Sequence, residues 1–307
     1  MSGILEFLSG QDLLAVADIR AALEREIDDA GPASLVALRD RLTLDAGWSY
    51  YPPDPLAQRI HLLLAARFIQ PDSRVTGLEH LNVIAGEPVI IVSNHVSYAD
   101  ANVLHMMLHR VGCDDLAGRL TAMAGPKVFT NRERRFSSLC FGTIKVPQSR
   151  DVSSGEAVQD ARDVARSARR AIEIAADRVA SGDALVLFGE GTRSRSAQMQ
   201  RMLAGVARYL EVPGAWVLPV GLTGSELLFP IGDVTVRQAR VDVTIGTPMR
   251  TDALLPPATR HRQTAMDLIG LAIAELIPPS YRGAYADAAT FPDAAQTLSD
   301  QRAASRQ

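Results

Sequence analysis

The chain lacks the features that would place it across a membrane or in an oxidising compartment. Its 307 residues include only two cysteines, Cys113 and Cys140, whose separation does not match the ligand spacing of a zinc site. We therefore expect reduced thiols, no bound metal and a cytoplasmic location. No apolar run approaches the roughly 18 residues of a spanning helix, and the first thirty residues show no signal-peptide pattern. If the protein acts on lipid, we expect it to do so as a peripheral protein on the cytoplasmic face of the membrane.

A strong excess of one charge is also missing. The 35 acidic and 32 basic residues give a formal net charge of −3, which argues against binding nucleic acid with the whole chain. The hydrophobic fraction of 47% and the charged fraction of 22% are typical of a folded protein with a large core. We expect a globular protein without a nucleic-acid partner.

Three regions differ in their hydrophobic pattern. Residues 1–72 have leucine-rich helical spacing, broken at Gly31-Pro32, and predict an N-terminal helical cap. Residues 73–285 alternate between strand and helix patterns, which predicts an α/β domain. Residues 286–307 are rich in Ala, Gln and Ser and predict a poorly ordered tail.

The principal elements of the α/β domain can be bounded from the pattern. The predicted strands are Val89–Val92, Thr121–Ala124, Thr143–Val146, Ala184–Phe188, Trp216–Leu222 and Val241–Ile245. The predicted helices are Asp100–Arg110, Gly155–Ala180, Ala197–Leu210 and Pro257–Ile277, preceded by a helix over Leu56–Ile69 in the cap. In that cap helix, Leu62, Leu63, Phe68 and Ile69 form an apolar face that packs on the protein or, alternatively, lies on a membrane.

A histidine and an aspartate follow the first of these strands. The buried strand delivers Asn94 and His95 to a turn, and Asp100 begins the next helix. On one ideal helix, residues five apart are separated by about 140°, so the two side chains would meet only across the turn. A carboxylate bonded to one imidazole nitrogen fixes the tautomer and leaves the other nitrogen to accept a proton. The pattern predicts a general base.

A second polar turn, Phe188 to Ser194, joins a predicted strand to a predicted helix. Gly189 and Gly191 permit close approach of a ligand to the backbone, while Thr192 and Arg193 offer donors to phosphate oxygens. Glu190 would need Arg193 as a partner or would bind a substrate hydroxyl. The spacing fits neither a Walker loop nor a dinucleotide fingerprint.

In combination, the two turns resemble the glycerolipid acyltransferase family, which includes the 1-acylglycerol-3-phosphate acyltransferases. That family has an Asn-His-(four residues)-Asp block and a Phe-Pro-Glu-Gly-Thr-Arg-Ser block about ninety residues later; here they lie ninety-five apart. Val217-Leu218-Pro219-Val220 resembles its late Val-Pro-Val strand. The resemblance covers roughly residues 75–285 and implies a central mixed sheet flanked by helices, after an N-terminal helical segment.

The resemblance implies transfer of a fatty acyl group from acyl-CoA or an acyl carrier protein to the hydroxyl of a lysophospholipid-like acceptor. His95 would act as base and Asp100 would orient it, while Asn94, Glu190, Gly191, Thr192 and Arg193 would bind substrate. No cofactor beyond the thioester and no serine nucleophile is then required. The family's middle block leads to an arginine, but Gln148 stands here, so Lys145 or Arg150 would substitute. The segment before Gly205 also lacks the family's lysine, and the acceptor's identity stays open.

Other features leave alternatives. The basic stretch Lys127–Arg135 is either a solvated loop or a contact for lipid head groups, CoA phosphates or an acyl carrier protein. His105 and His109 have metal-like spacing, but no third ligand is evident nearby. A non-catalytic lipid-binding protein on the same fold is one rival hypothesis. A serine esterase using Ser97 is another, although the Gly-x-Ser-x-Gly pattern is absent.

Overall fold

A computed structural model describes residues 16–43, 47–130, 132–147, 161–230, 236–256 and 261–304. Its α-helices are α1 (Val16–Thr43), α2 (Pro55–Phe68), α3 (Asp100–Arg110), α4 (Asp114–Gly118), α5 (Lys127–Thr130), α6 (Arg132–Ser138), α7 (Ala161–Ala180), α8 (Thr251–Leu254), α9 (Arg262–Leu276) and α10 (Pro292–Ala304). Its strands are β1 (Tyr50–Tyr51), β2 (Arg74–Thr76), β3 (Val89–Ser93), β4 (Leu120–Ala124), β5 (Gly142–Lys145), β6 (Ala184–Phe188), β7 (Trp216–Thr223), β8 (Asp242–Ile245) and β9 (Met249–Arg250).

The strands form one mixed sheet in the order β1-β5-β4-β6-β3-β7-β8-β2, with β9 also paired to β7. Strands β5, β4, β6, β3 and β7 run parallel to one another. Strand β1 pairs antiparallel with β5, strands β8 and β9 pair antiparallel with β7, and β2 pairs parallel with β8. This confirms the predicted α/β fold with a central mixed sheet. Because β3, β6 and β7 are adjacent and parallel, the segments that follow them meet at one edge of the sheet, where open α/β sheets bind their ligands.

Apolar residues of the central strands alternate between two cores, one on each face of the sheet. Val89 and Ile91 of β3 pack into the core that contains α1 to α4. Ile90 and Val92 pack into the other core, with α7, α9 and α10. Strands buried on both faces account for the near-continuous apolar runs in the sequence.

The N-terminal segment shares its core with the sheet. Gly31 has φ 74° and ψ 167°, so α1 is kinked at the predicted break. Helix α2 begins after Asp54, whose carboxylate accepts from two amides of the first turn, a strong N-cap. Tyr50 and Tyr51 pair with β5 at the edge of the sheet, so this segment contributes a strand as well as helices. The proposed boundary at residue 72 stays a prediction.

The expected helix over Ala197–Leu210 is wrong. Residues 197–203 form no regular helix, and only Ala204–Leu210 is helical, as a 3₁₀ helix of seven residues. Backbone amides in this segment bond to other parts of the chain: Met199 donates to the carbonyl of Tyr281, and Leu203 donates to that of Gly189. Tertiary hydrogen bonds therefore replace those of the predicted helix.

The expected poorly ordered tail also requires correction. Residues Pro292–Ala304 form α10, which packs against α9 and buries Phe291, Ala294 and Leu298. Arg302 adds an ion pair with Glu275 of α9. Small apolar residues produce a weak stripe in the sequence, and tertiary packing supplies the helix with the stability it lacks alone.

Within the described residues, no helix is both long and apolar enough to cross a bilayer.

Candidate active site

The site is built from three chain segments that follow neighbouring parallel strands. His95 comes after β3, Glu190 comes after β6, and Ser225 comes after β7. The registers bring Ser93 level with Phe188 of β6 and with Val220 of β7. The two blocks that lie ninety-five residues apart in sequence are therefore adjacent in the fold.

His95 and Asp100 meet across the turn between β3 and α3. Nδ1 of His95 lies 2.8 Å from Oδ2 of Asp100, and the imidazole stacks on Phe188 with a centroid separation of 4.2 Å. A carboxylate only accepts, so Nδ1 carries the proton and Nε2 keeps a lone pair. Nε2 makes no hydrogen bond with any residue that the structure describes. The imidazole is 16% exposed, which leaves it reachable by a substrate.

Asp100 is fully buried and accepts four hydrogen bonds. Its Oδ2 accepts from His95 and from the backbone amides of Val96 (2.8 Å) and Ser97 (3.0 Å). Its Oδ1 accepts from the hydroxyl of Ser225 at 2.5 Å. Asp100 also occupies the first turn of α3, where the helix dipole favours a negative charge. These contacts stabilise the carboxylate and fix its orientation toward the imidazole.

Glu190 connects the two blocks through backbone amides. Its Oε1 accepts from the amide of His95 and its Oε2 from that of Gln200, both at 2.8 Å. The amide of Ser194 donates to the carbonyl of His95, also at 2.8 Å, so the second block holds both polar groups of the His95 backbone. Burial raises the pKa of Glu190 from 4.5 to about 7, against the opposing effect of the two amides. The expected partner of Glu190 was Arg193 or a substrate hydroxyl, but its two oxygens instead accept from the backbone amides of His95 and Gln200.

Asn94 does not face a substrate. Its side chain is completely buried and forms two hydrogen bonds of 2.8 Å, one to the amide and one to the carbonyl of Leu222. The side-chain amide thus extends the pairing of β3 with β7 beyond the last residue of the strand. The prediction that Asn94 binds substrate is corrected: its side chain holds the start of the turn that carries His95.

The turn after Glu190 presents the other predicted binding residues. Gly191 has φ 72°, a left-handed conformation that favours glycine. Thr192 is exposed and Arg193 is half-buried. The guanidinium carbon of Arg193 lies 4.2 Å from the centroid of the Tyr98 ring, three residues beyond His95. Arg193 forms no ion pair within the described chain.

Lys145 lies away from this turn. The amine of Lys145 lies over the rings of Trp48 and Phe129, at 4.9 and 5.2 Å from their centroids. Its strand, β5, is three strands away from β3, a lateral separation of about 14 Å at the usual spacing. Arg150 and the neighbouring Gln148 lie outside the described residues. A role for either basic residue in binding substrate stays a prediction.

Sequence reasoning missed Ser225 and Tyr98 as members of the site. Ser225 is 125 residues away from the carboxylate that it contacts, and a lone serine after a strand gives no signal by itself. Tyr98 lies inside the first block and could have been noticed as a large residue between the histidine and the aspartate. Tyr98 is 49% exposed.

Comparison with known proteins agrees with this geometry. A family model described as "Acyltransferase" matches residues 72–223, a segment that contains His95, Asp100, Glu190 and Arg193. Residues 72–223 belong to the acyltransferase family. The match confirms the resemblance drawn from the two blocks and identifies this segment as an acyltransferase. This acyltransferase segment ends at the last residue of β7, so Ser225 lies just beyond it.

One solved structure of similar shape is the 1-acyl-sn-glycerophosphate (LPA) acyltransferase PlsC from Thermotoga maritima. It shares 19% sequence identity with this chain, and the match covers 80% of this chain and 81% of the other at a TM-score of 0.45. A likeness at that level is too distant to transfer an activity or a residue's role to this acyltransferase. No curated protein matches the sequence.

Proposed function

We propose that this acyltransferase moves a fatty acyl group from an acyl thioester to the hydroxyl of a lysophospholipid or glycerol-phosphate-like acceptor. The observation that carries the proposal is the hydrogen bond of 2.8 Å between Nδ1 of His95 and Asp100, which leaves Nε2 as a proton acceptor beside a solvent-accessible turn. An acceptor hydroxyl is a poor nucleophile at neutral pH, whereas a thioester is already activated. A positioned base therefore supplies the assistance that this reaction most needs.

In the proposed step, Nε2 of His95 takes the hydroxyl proton while the oxygen forms a bond to the thioester carbonyl carbon. The tetrahedral intermediate then collapses, the carbon–sulfur bond breaks, and the thiolate receives the proton from the imidazolium. Asp100 stabilises the positive charge on His95 between these two transfers. The reaction is complete without a metal or a cofactor other than the donor itself.

The buried serines support direct transfer over an acyl-serine intermediate. Ser93 and Ser97 flank His95, but both are completely buried. The hydroxyl of Ser97 accepts from the amide of Ala99 at 3.2 Å, inside the turn. This arrangement gives a substrate no access to either oxygen and disfavours the serine-esterase alternative.

The acceptor's anionic group would bind at the turn from Gly191 to Arg193. The amides of Thr192 and Arg193 make no hydrogen bond within the described residues, whereas those of Gly191 and Ser194 do. Two adjacent amides and a guanidinium are suitable donors for a phosphate or an oxyanion. The amides of Val96 and Ser97 bond to Asp100 and are therefore poor candidates for the oxyanion donors.

The donor is either acyl-CoA or an acyl carrier protein, and the basic stretch Lys127–Arg135 is the surface that would meet its negative charge. A lipid acceptor would be taken from a membrane surface, on the cytoplasmic face, by a peripheral enzyme. These assignments rest on charge and substrate chemistry.

The test is acyl transfer from labelled acyl-CoA and labelled acyl carrier protein to a panel of lysophospholipids and glycerol phosphates. Wild-type protein should form the acylated acceptor, and His95→Ala should reduce kcat/KM by about a thousandfold. The exposed His261→Ala is the matched control and should retain full activity.

Three other outcomes would decide against the proposal. Equal activity of wild type and His95→Ala would exclude His95 as the base. Lipid binding without transfer to any acceptor would indicate a binding protein. Release of free fatty acid in the absence of an acceptor, abolished by Ser97→Ala, would indicate an esterase.

A further inference from the structure

Tyr281 contacts both of the segments that support the His95–Asp100 dyad. Its hydroxyl donates to Oε1 of Glu226 at 2.5 Å, in the segment that follows β7. Its backbone carbonyl accepts from the amide of Met199 at 2.8 Å, in the segment that follows β6. The first of these segments also supplies Ser225 to the site, and the second supplies Glu190. One residue from the C-terminal part of the chain is therefore linked to both supports.

The link through the side chain of Tyr281 leads to Asp100. Glu226 directly follows Ser225, whose hydroxyl donates to Oδ1 of Asp100 at 2.5 Å, and the two residues belong to one 3₁₀ turn. The turn packs tightly, since a Cβ at the preceding Gly224 would lie 2.0 Å from the carbonyl oxygen of Arg240. Adjacent residues in so short a turn move together, and a hydrogen bond weakens steeply as its angle departs from linear. A displacement of Glu226 would therefore weaken the bond between Ser225 and Asp100.

The carboxyl group of Glu226 depends on Tyr281. Its Oε2 is buried and has no hydrogen-bond partner among the described residues, so the Tyr281 hydroxyl is the donor that satisfies this group. Leaving a buried carboxyl without a donor is costly, which makes the contact a strong constraint. Burial and the bond to Glu226 raise the pKa of Tyr281 to about 12, against the opposing effect of a backbone hydrogen bond with Gly224. The tyrosine thus keeps its proton, and can donate it, across the ordinary pH range.

The link through the backbone of Tyr281 leads to Glu190. Met199 donates its amide to the carbonyl of Tyr281 and accepts from the amide of Ala284 at 2.9 Å, so the two segments are paired on both sides. The next amide along the chain, that of Gln200, donates to Oε2 of Glu190 at 2.8 Å. Because Glu190 holds the turn that carries the base, this second link reaches the same site from the opposite direction.

Tyr281 is itself held by a rigid stretch of chain. Pro278 and Pro279 precede it and fix two backbone φ angles, and its amide donates to the carbonyl of Pro278 at 2.9 Å. Ile277 is 3% exposed and packs directly on β7, where a Cβ at Gly221 would lie 2.6 Å from Cγ2 of Ile277. The tyrosine is therefore anchored to the strand that ends just before the turn it contacts.

In an inference that rests on the proposed function, we propose that Tyr281 is a positioning residue for the transfer step. Through Glu226 it keeps the hydroxyl of Ser225 on Oδ1 of Asp100, which leaves Oδ2 facing Nδ1 of His95. The hydrogen bond at Nδ1 determines which imidazole nitrogen carries the proton. A poorly held Asp100 would admit the other tautomer, in which Nε2 is protonated and cannot accept a proton from the acceptor.

The test is Tyr281→Phe, which removes the hydroxyl but keeps the ring and the backbone carbonyl, so that the link to Glu190 is preserved. The first measurement is NMR of protein labelled with ¹⁵N-histidine, in which the His95 ring resonances are assigned by their loss in His95→Ala. The population ratio of the Nε2–H to the Nδ1–H tautomer of His95 should rise about fivefold, the effect of losing one hydrogen bond. This measurement does not depend on turnover.

The second measurement is steady-state kinetics of acyl transfer. In Tyr281→Phe, kcat should fall about fivefold with KM unchanged, because the substrate is not contacted. Glu226→Gln keeps a carbonyl oxygen that can accept from Tyr281 and should retain most of the rate. Glu226→Ala should resemble Tyr281→Phe, and the double variant should be no slower than the slower of the two, since both changes break one contact.

The matched control is Tyr209→Phe. Burial raises the pKa of Tyr209 to about 12 as well, but its hydroxyl makes no hydrogen bond within the described part of the chain, so this variant should equal wild type in both measurements. The proposal is overturned if Tyr281→Phe keeps the wild-type tautomer ratio and kcat, even when its thermal stability falls. It is also overturned if only KM changes. Absence of acyl transfer by wild type would count against the proposed function, whereas an unchanged tautomer ratio in Tyr281→Phe would count against the positioning role.

Discussion

Two histidine sites, one in the turn before helix α3 and one within it, differ in their partners. In the turn, His95 has a buried carboxylate at 2.8 Å, and its second nitrogen has no hydrogen-bond partner among the described residues. Within the helix, His105 is completely buried, and neither of its ring nitrogens has a hydrogen-bond partner in the part of the chain that the structure describes. His105 instead packs between the rings of His61 (5.4 Å) and His109 (4.6 Å).

The difference determines which histidine can accept a proton. Burial, and to a lesser degree its two histidine neighbours, lowers the pKa of His105 from 6.5 to about 3. Burial likewise lowers the pKa of His61 to about 4, although its Nε2–H donates to the carbonyl of Asn102 at 3.1 Å. These two rings stay neutral at ordinary pH and act as packing residues. A histidine next to Asp100, in contrast, has a counter-ion for its charged form.

The metal hypothesis for His105 and His109 receives no support from their surroundings. His109 pairs through Nδ1 with Asp114, at 2.5 Å. Among the residues that the structure describes, no group of three or more potential ligand side chains is arranged to hold a metal ion. The spacing of four residues instead places two histidines on one face of α3, where their rings contact each other.

The prediction with the largest expected effect concerns Glu190, the buried acid whose carboxylate accepts from the backbone amide of His95. Its pKa is raised from 4.5 to about 7, so between these values the folded chain binds more protons than the unfolded one. Its contribution to stability therefore falls as the pH rises through this window. The glutamine in Glu190→Gln does not titrate. The free energy of unfolding of this variant should therefore rise by about 3 kcal/mol relative to that of wild type between pH 4.5 and 7.

Urea unfolding at a series of pH values measures that change. The exposed Glu87→Gln is the control and should keep a constant difference from wild type across the same range. A constant difference for Glu190→Gln as well would mean that Glu190 is not the buried acid described here.

The second prediction concerns the unpartnered histidine. Since the pKa of His105 is lowered in the folded chain, its neutral form stabilises the protein fully above pH 6.5, and this contribution is lost as the pH falls toward 3. At pH 5 the loss is about 2 kcal/mol. Between pH 7.5 and 5, His105→Leu should lose about 2 kcal/mol less of its free energy of unfolding than wild type loses. Its rate of acyl transfer at pH 7.5 should be unchanged.

Thermal unfolding at the two pH values provides the comparison, and the exposed His261→Ala should keep the acid sensitivity of wild type. If His105→Leu and wild type were equally sensitive to acid, His105 would not be a neutral, buried imidazole in the folded protein.

The smallest predicted effect lies in the network around Asp100. Ser225→Ala removes the hydroxyl that donates to Oδ1 of Asp100, a hydrogen bond to a charged group. We expect kcat to fall about tenfold with KM unchanged, because the acceptor is not contacted. Ser225→Thr should restore part of the rate. Steady-state kinetics measures both constants, and the exposed Ser181→Ala should match wild type. An altered KM with unchanged kcat would place Ser225 in substrate binding.

Much of the fold was predictable from local pattern. The strand Ala184–Phe188 and the helix Asp100–Arg110 were predicted with their observed bounds, because both have strong apolar patterns and polar turns at their ends. The segment Ala197–Leu210 was mispredicted because its amides bond to distant carbonyls. The short strands Arg74–Thr76 and Met249–Arg250 were missed, because two or three residues are too few to show the alternation of apolar and polar residues typical of a strand.

The sequence by itself indicated the family and the position of a candidate base. Asn94, His95 and Asp100 lie on one short turn, so their types and spacing define the dyad before any folding is considered. Only the tertiary structure decided what holds that dyad and what surrounds it. Contacts from Glu190, Ser225 and Tyr281 join residues that are distant in sequence, and such contacts depend on which strands and helices become neighbours. Strand order and helix packing are set by burial of the whole core, which no local motif specifies.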